Sequence, residues 1–280
     1  MRQLVAIFLS VIALAVTAAQ AATLDRIKET GVIKLGYRED AAPYSFKNDI
    51  GEPAGYTVDL CRAVAASLKR QLSLDQIDIQ YVAVTAENRF EAVQSGRIDL
   101  LCGATTATLE RRKLVDFSIG IFVDGASVML QSDGPDSFRA LNGLKVGVRG
   151  GTTTEAGLRD TLKSLGVNAE VVAVKSHGDG LKKLQGGDVS AYFADRAILL
   201  FLMMRSDDPA KLRVSSEYFS YEPYALALPR GDDDFRLAVD TSLSRLYRTG
   251  AIAKVFENAF GKAEPSDLLK AMYLINSLPE

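Results

Sequence analysis

Gln94-Ser95-Gly96-Arg97-Ile98-Asp99-Leu100-Leu101-Cys102 and Gln185-Gly186-Gly187-Asp188-Val189-Ser190-Ala191-Tyr192 follow one pattern. Each closes an amphipathic helix on a glycine, which tolerates the positive φ of a helix end, and then enters a short apolar run that reads as a strand. Outward from these two stretches the same alternation continues. Strands are predicted at 32–37, 77–82, 98–102, 145–148, 170–174 and 189–193. Apolar residues at three- and four-residue spacing predict helices at 58–68, 89–94, 155–165, 180–185 and 196–203. Strands alternating with helices, with no long polar or Pro-rich linker, imply an α/β fold with mainly parallel sheets. The likeness of the two stretches implies two related α/β lobes rather than a tandem repeat. A further helical pattern over 237–260, carrying Leu243, Leu246, Tyr247, Ile252, Val255, Phe256 and Phe260, is expected to complete one of them. Residues 265–280 form an appendage whose Met272, Tyr273, Leu274 and Ile275 are expected to dock on the surface.

Composition limits what such a chain can do. At 280 residues, 48% hydrophobic and 24% charged, it can build real cores, and two domains are the natural expectation. The 33 Lys and Arg against 35 Asp and Glu leave a net charge of −2, so no basic excess points to nucleic acid as a partner. One His and two Cys are too few for a zinc cage or an iron–sulfur cluster, and no metal or cofactor is expected.

The first residues indicate export. Arg2 precedes an apolar run over 4–16, followed by Thr17-Ala18-Ala19-Gln20-Ala21-Ala22, the layout of a secretory signal peptide cleaved after Ala21. The apolar run is shorter than the about 20 residues a membrane helix needs. No Cys lies near the cleavage position, so the mature chain is expected to be soluble and without a lipid anchor. Arg2 is the only charged residue lost, which leaves 32 cations against 35 anions and a net charge of −3. In an oxidising compartment Cys61 and Cys102 are expected to pair, the alternative being two buried free thiols.

The unusual polar residues fall just after predicted strands, where ligands bind in open α/β sheets. Arg38 follows 32–37. Thr105, Thr106, Thr108 and Arg111 follow the strand ending at Cys102. Arg149 and Gly150-Gly151-Thr152-Thr153-Thr154 follow 145–148, His177 follows 170–174, and Asp195 follows 189–193. Gly150 to Thr154 could cradle an anion with free N–H groups at a helix start, or could be a plain threonine cap. It lacks the Gly-Lys-Ser/Thr of a nucleotide loop. Arg111 could fork onto a carboxylate, although Glu110-Arg111-Arg112-Lys113 also reads as a solvated face. Asp195 could cap the next helix or receive an ammonium group. Arg38 could be occupied by Glu39 or Asp40, and a lone His177 could be structural.

Several ordered stretches resemble one family: the periplasmic amino-acid-binding proteins of ABC importers, solute-binding protein family 3. They are Gly31-Val32-Ile33-Lys34-Leu35-Gly36-Tyr37-Arg38, Gly55-Tyr56-Thr57-Val58-Asp59-Leu60, Gln94-Ser95-Gly96-Arg97-Ile98-Asp99 and Thr106-x-Thr108-x-Glu110-Arg111, the last continuing to Asp116-Phe117-Ser118. The resemblance spans about 24–262. It implies the type II periplasmic-binding fold: two lobes joined by two crossing strands, near 121–125 and 219–223, closing on a ligand in the cleft. The expected limits are 1–21 signal peptide, 22–122 and 223–262 the first lobe, 123–222 the second, and 263–280 the appendage.

The resemblance also implies roles. Arg111 would clamp an amino-acid α-carboxylate with backbone N–H groups at Thr108 and Thr152. Asp195 would take the α-ammonium with the Thr106 hydroxyl and backbone carbonyls near Gly103 and Ala104. A few charge-assisted hydrogen bonds, at roughly 1.5–3 kcal/mol each, suffice for micromolar affinity after binding costs. Gly36-Tyr37-Arg38-Glu39, Gly151-Thr152-Thr153-Thr154-Glu155 and His177-Gly178-Asp179 are most similar to the glutamate/aspartate-binding branch. There Arg38 and His177 would hold a second carboxylate, with Arg149 adding charge and Thr153 lining the pocket. Ala41 and Ala86 stand where binders of neutral or basic amino acids often place aromatic walls. The resemblance therefore implies a monomeric, non-catalytic periplasmic receptor that delivers an acidic amino acid to an ABC importer permease. Two alternatives remain: an enzyme similar to periplasmic cyclohexadienyl dehydratase, with Glu155, Asp195 or His177 as general acid, and a soluble sensor for a membrane receptor.

Overall fold

The computed structural model describes residues 22–279, so the predicted signal peptide lies outside the described residues. Two five-stranded sheets organise the chain. The first runs Asp78–Val84, Val32–Arg38, Leu100–Cys102, Glu222–Leu228, Asp116–Asp124. The second runs Glu170–Val174, Lys145–Arg149, Ala191–Asp195, Ala126–Gln131, Leu212–Val214. In each sheet the first three strands are parallel. Glu222–Leu228 is antiparallel to both of its neighbours, and Ala126–Gln131 to both of its own. The sheets are thus mixed rather than mainly parallel. A chain that leaves one lobe and later returns must place a reversed strand in each. A small antiparallel sheet of Asp40–Ala41, Ser45–Lys47 and Pro53–Ala54 edges the first lobe.

The crossings are tight. Asp116–Asp124 of the first sheet is followed almost at once by Ala126–Gln131 of the second, and Glu222 pairs with Asp124 where the chain comes back. At Gly125 an added Cβ would sit 2.1 Å from the Ser220 carbonyl oxygen. Only glycine lets the two crossing segments approach this closely.

Several boundaries move relative to the sequence reading. The strand expected at 189–193 is Ala191–Asp195, because the turn after the helix His177–Gln185 runs on to Ser190, whose N–H bonds the Lys145 carbonyl at 2.8 Å. Gly96 has φ 68°, as its position predicts, whereas in the second stretch Gly187 carries the positive φ of 78° and Gly186 stays helical. The pattern over 237–260 resolves into two helices, Asp233–Arg248 and Ile252–Phe260, broken at Gly250. The appendage holds the helix Asp267–Ile275, which docks through Leu269 and Tyr273. Leu274 and Ile275, expected to dock, are 76% and 74% exposed. One turn of helix separates 269 from 273, so 274 and 275 fall on the opposite face.

Cys61, on the helix Tyr56–Gln71, and Cys102, at the end of Leu100–Cys102, form a disulfide with Cα atoms 6.1 Å apart. It ties that helix to the middle strand of the first sheet. For a loop of 41 residues the chain-entropy estimate is a loss of about 4 kcal/mol on reduction. Chemical unfolding with and without reductant measures it, and equal midpoints would show the bridge to be thermodynamically idle.

Candidate functional site

Between the lobes lies a narrow cleft. The predicted residues Arg38, Ala104, Thr106, Arg111, Arg149, Thr152, Thr153, His177 and Asp195 line it. Gly103 and Thr108 are not among the lining residues. A Cβ on Gly103 would meet the Arg38 side chain at 3.4 Å, and the Thr108 hydroxyl caps the short helix Leu109–Arg112 by accepting from the Arg111 N–H at 3.1 Å. Arg38, Arg149 and Asp195 are the last residues of their strands rather than residues of the following loops, and His177 is the first of its helix.

One end of the cavity is basic. Arg38, 2% exposed, bonds Asp40 Oδ1 through Nε at 2.8 Å and Nη2 at 2.5 Å. Arg149 bonds Asp40 Oδ2 at 3.0 Å and Glu87 Oε1 at 2.5 Å, two carboxylates of the opposite lobe. Burial would raise the Asp40 carboxyl, but Arg38 and Arg149 overcome it and hold the group down at about 2. Asp40 is thus an anion shared by an arginine from each lobe, and the lobes are closed on one another.

His177 is buried, with Nδ1 2.9 Å from the Tyr192 hydroxyl. That ring fits because residue 180 is glycine, where a Cβ would lie 2.0 Å from Tyr192. Burial, aided by Arg38 and Arg149, pushes His177 down to about 3, so it is a neutral hydrogen-bonding group at neutral pH.

Arg89 was missed in the sequence. It is 2% exposed at the start of the helix Arg89–Gln94, and its Nη1 bonds the Ala86 carbonyl at 2.6 Å. Its buried Nε has no hydrogen-bond partner. Burial, then Arg111, Arg38 and Arg149, disfavours its charge. A cation at a helix N-terminus opposes the helix dipole, and that conflict was the available signal. Arg111 lies over the Phe90 ring at 5.2 Å and bonds the Thr106 carbonyl at 2.8 Å. Among the described residues, neither Arg89 nor Arg111 is in an ion pair.

The other end is acidic. Asp195 occupies the cap position of Arg196–Met204 but makes no side-chain capping bond. Its Oδ1 accepts from the Thr154 hydroxyl at 3.1 Å and its Oδ2 from the Tyr224 hydroxyl. Burial, then Asp124 and Glu222, pushes Asp195 up to about 7. Asp124 is raised too, chiefly by burial, and accepts from the Tyr44 hydroxyl at 2.6 Å. Thr152 caps the helix Thr153–Leu165 by accepting from the Glu155 N–H at 3.1 Å, so the threonine-cap reading holds there. Thr153 and Thr154, the next two residues, turn their hydroxyls to the acidic end.

A cleft between two lobes, basic at one end and acidic at the other, suits a small zwitterion. The family model for bacterial extracellular solute-binding proteins, family 3, matches residues 33–262. The chain belongs to this family. Among curated relatives of this family-3 chain, the L-glutamate/L-aspartate-binding protein of Pseudomonas aeruginosa is 34% identical over 87% of this chain and 81% of its own length. The glutamate/aspartate import solute-binding protein of Escherichia coli is 30% identical over 91% of this chain and 88% of its own. Among solved structures, the ancestral amino acid-binding protein AncCDT-1, a precursor of cyclohexadienyl dehydratase, superposes with TM-score 0.74 at 26% identity, covering 85% of this chain and 99% of that one.

Proposed function

We propose that this family-3 chain is a periplasmic receptor that binds glutamate or aspartate by closure of its lobes and presents it to the permease of an ABC importer. The observation that carries the reading is the charge inventory of the cavity. Arg38 and Arg149 are already matched by Asp40 and Glu87, which leaves the buried Arg89 and the partly buried Arg111 as two cations without carboxylate partners. Facing them is Asp195, backed by Asp124 and Glu222. Two open guanidinium groups and one acidic end match a ligand with two carboxylates and one ammonium. Arg111 takes the α-carboxylate and Asp195 the ammonium. Arg89 takes the side-chain carboxylate, with Arg38 and neutral His177 lining that end. The relatives named for glutamate and aspartate support the same choice.

Of the three general acids that the enzymatic alternative offers, Asp195 lines the cavity and holds a proton part of the time near neutrality, whereas Glu155 and His177 do not fit the role. Glu155 accepts from the Gly151 N–H at 3.0 Å and from Arg159 at 2.9 Å, outside the lining residues. His177, held near 3, is a neutral imidazole at neutral pH and lacks the acidic imidazolium proton a general acid would give up.

Calorimetric titration of the chain from Ala22 onward with the twenty amino acids, succinate and prephenate tests the proposal. Glutamate or aspartate is expected to bind at micromolar concentration or tighter. Arg89→Met is expected to reduce the preference for glutamate over glutamine at least tenfold. Silence toward every amino acid, or turnover of prephenate, would overturn the receptor reading.

A further inference from the structure

We propose that Glu222 is a positioning residue that makes the ligand's ammonium group mandatory by fixing two threonine hydroxyls, one from each lobe, as hydrogen-bond acceptors. This inference rests on the amino-acid reading above. Glu222 begins the second crossing strand and is 3% exposed. Its Oε2 accepts from Thr106 Oγ1 and, at 2.7 Å, from Thr153 Oγ1, while its Oε1 accepts from Ser220 Oγ at 2.9 Å. The two threonine oxygens are 3.3 Å apart, and both residues line the cavity.

A hydroxyl has one proton and two lone pairs, and a carboxylate can only accept. Thr106 and Thr153 therefore spend their single protons on Glu222, and what their oxygens offer the cavity is lone pairs. Without Glu222 each hydroxyl could rotate to donate or to accept, and the site would tolerate a carbonyl, a hydroxyl or an ammonium alike. With it, the acceptor pair selects groups that can donate a hydrogen bond and rejects those that can only accept, such as a carboxylate or carbonyl oxygen. The backbone holds the arrangement in place. The Ala107 N–H bonds the Pro223 carbonyl at 2.8 Å and the Ala225 N–H bonds the Thr105 carbonyl at 3.1 Å, which lays Thr106 against the strand that carries Glu222. Thr153 comes from the second lobe, in the first turn of Thr153–Leu165. Because one carboxylate oxygen gathers hydroxyls from both lobes, the acceptor pair is complete only in the closed form, so ammonium recognition and closure are one event.

Glu222→Gln keeps the size of the side chain but adds an amide donor, which forces one of the hydroxyls to accept from it and to turn its own proton elsewhere. The test measures L-glutamate and glutarate, the same dicarboxylate without the ammonium, by competition calorimetry on wild type, Glu222→Gln and Thr106→Val, together with ligand-free melting temperatures. The ratio of glutamate to glutarate affinity is expected to fall at least tenfold in each variant, and no further in the double variant, because both act through one device. The ligand-free melting temperature of Glu222→Gln is expected to hold or rise, since one of three clustered acidic groups is neutralised. An unchanged ratio in either variant, or an equal loss of both ligands with a lowered melting temperature, would mean that Glu222 only braces the fold. If wild type binds no α-amino acid, the receptor reading and this inference fall together. If it binds glutamate and the variants keep the ratio, this inference alone falls.

Discussion

Arg111→Ala is expected to weaken glutamate binding by roughly 100- to 10,000-fold, because two charge-assisted hydrogen bonds of about 1.5–3 kcal/mol each are lost. The loss should be nearly clean of folding effects. Arg111 is only partly buried, and its guanidinium makes one hydrogen bond, to the Thr106 carbonyl, beside its contact with the Phe90 ring. Burial lowers its affinity for its proton while Glu222 and Asp195 raise it, so the group sits in the cleft as a cation facing the acidic end. Arg111→Lys should recover only a minor part of the affinity, since an ammonium cannot fork across two carboxylate oxygens. Calorimetry on wild type and both variants measures this. Binding by Arg111→Ala within tenfold of wild type would remove Arg111 from the α-carboxylate clamp.

The second large effect is a dependence on pH. Burial, with Asp124 and Glu222 nearby, raises Asp195 from 3.8 to about 7, so in the ligand-free protein near neutrality it holds its proton part of the time. An ammonium can be received only by the ionised form, and its arrival expels that proton. Below pH 7 affinity should therefore fall toward tenfold per unit, about 100-fold between pH 8 and pH 5. The carboxylates and the histidine at the basic end do not titrate in that window, while at the acidic end Asp124, raised mainly by burial, adds to the rise of Asp195. Asp40 and Glu87 are held at about 2, and His177 at about 3.

The sign for stability is the opposite. A carboxyl whose folded value is raised stabilises the fold below its unfolded value, and that contribution is lost as pH climbs through about 7. The ligand-free protein should thus lose stability between about pH 4 and pH 7, and Asp195→Asn should abolish the loss along with binding. Titrations at pH 5, 6.5 and 8, in buffers of differing ionisation enthalpy, read both affinity and proton release. Flat affinity with no proton released would show that Asp195 does not meet the ammonium.

Much of the site was legible because ligand-contacting residues in an α/β lobe must follow or end strands. Arg38, Thr106, Arg149 and Asp195 could be found by locating strands and reading the polar residues at their ends, and a shift of two residues in the strand that ends at Asp195 did not move it from the cavity. Arg111 needed the resemblance, since its neighbours form an ordinary charged face on which Lys113 and Glu110 pair at 2.7 Å. Arg89 was hidden among helix-forming residues, and only its position at a helix start was out of place.

The sequence by itself determined the α/β lobes, the family, the pairing of the two cysteines and most of the polar residues that line the cleft. Each depends on local periodicity, on composition or on linked motifs. Which cations are free was decided by the tertiary structure alone. Asp40, two residues from Arg38 and 109 from Arg149, reaches both arginines. Glu222, 116 residues from Thr106 and 69 from Thr153, gathers both hydroxyls. The pairings of Asp40 with Arg149 and of Glu222 with Thr153 exist only when the two lobes close. They set the sign of the charge left over for a ligand, because a guanidinium whose charge is already balanced by carboxylates attracts a further anion less strongly.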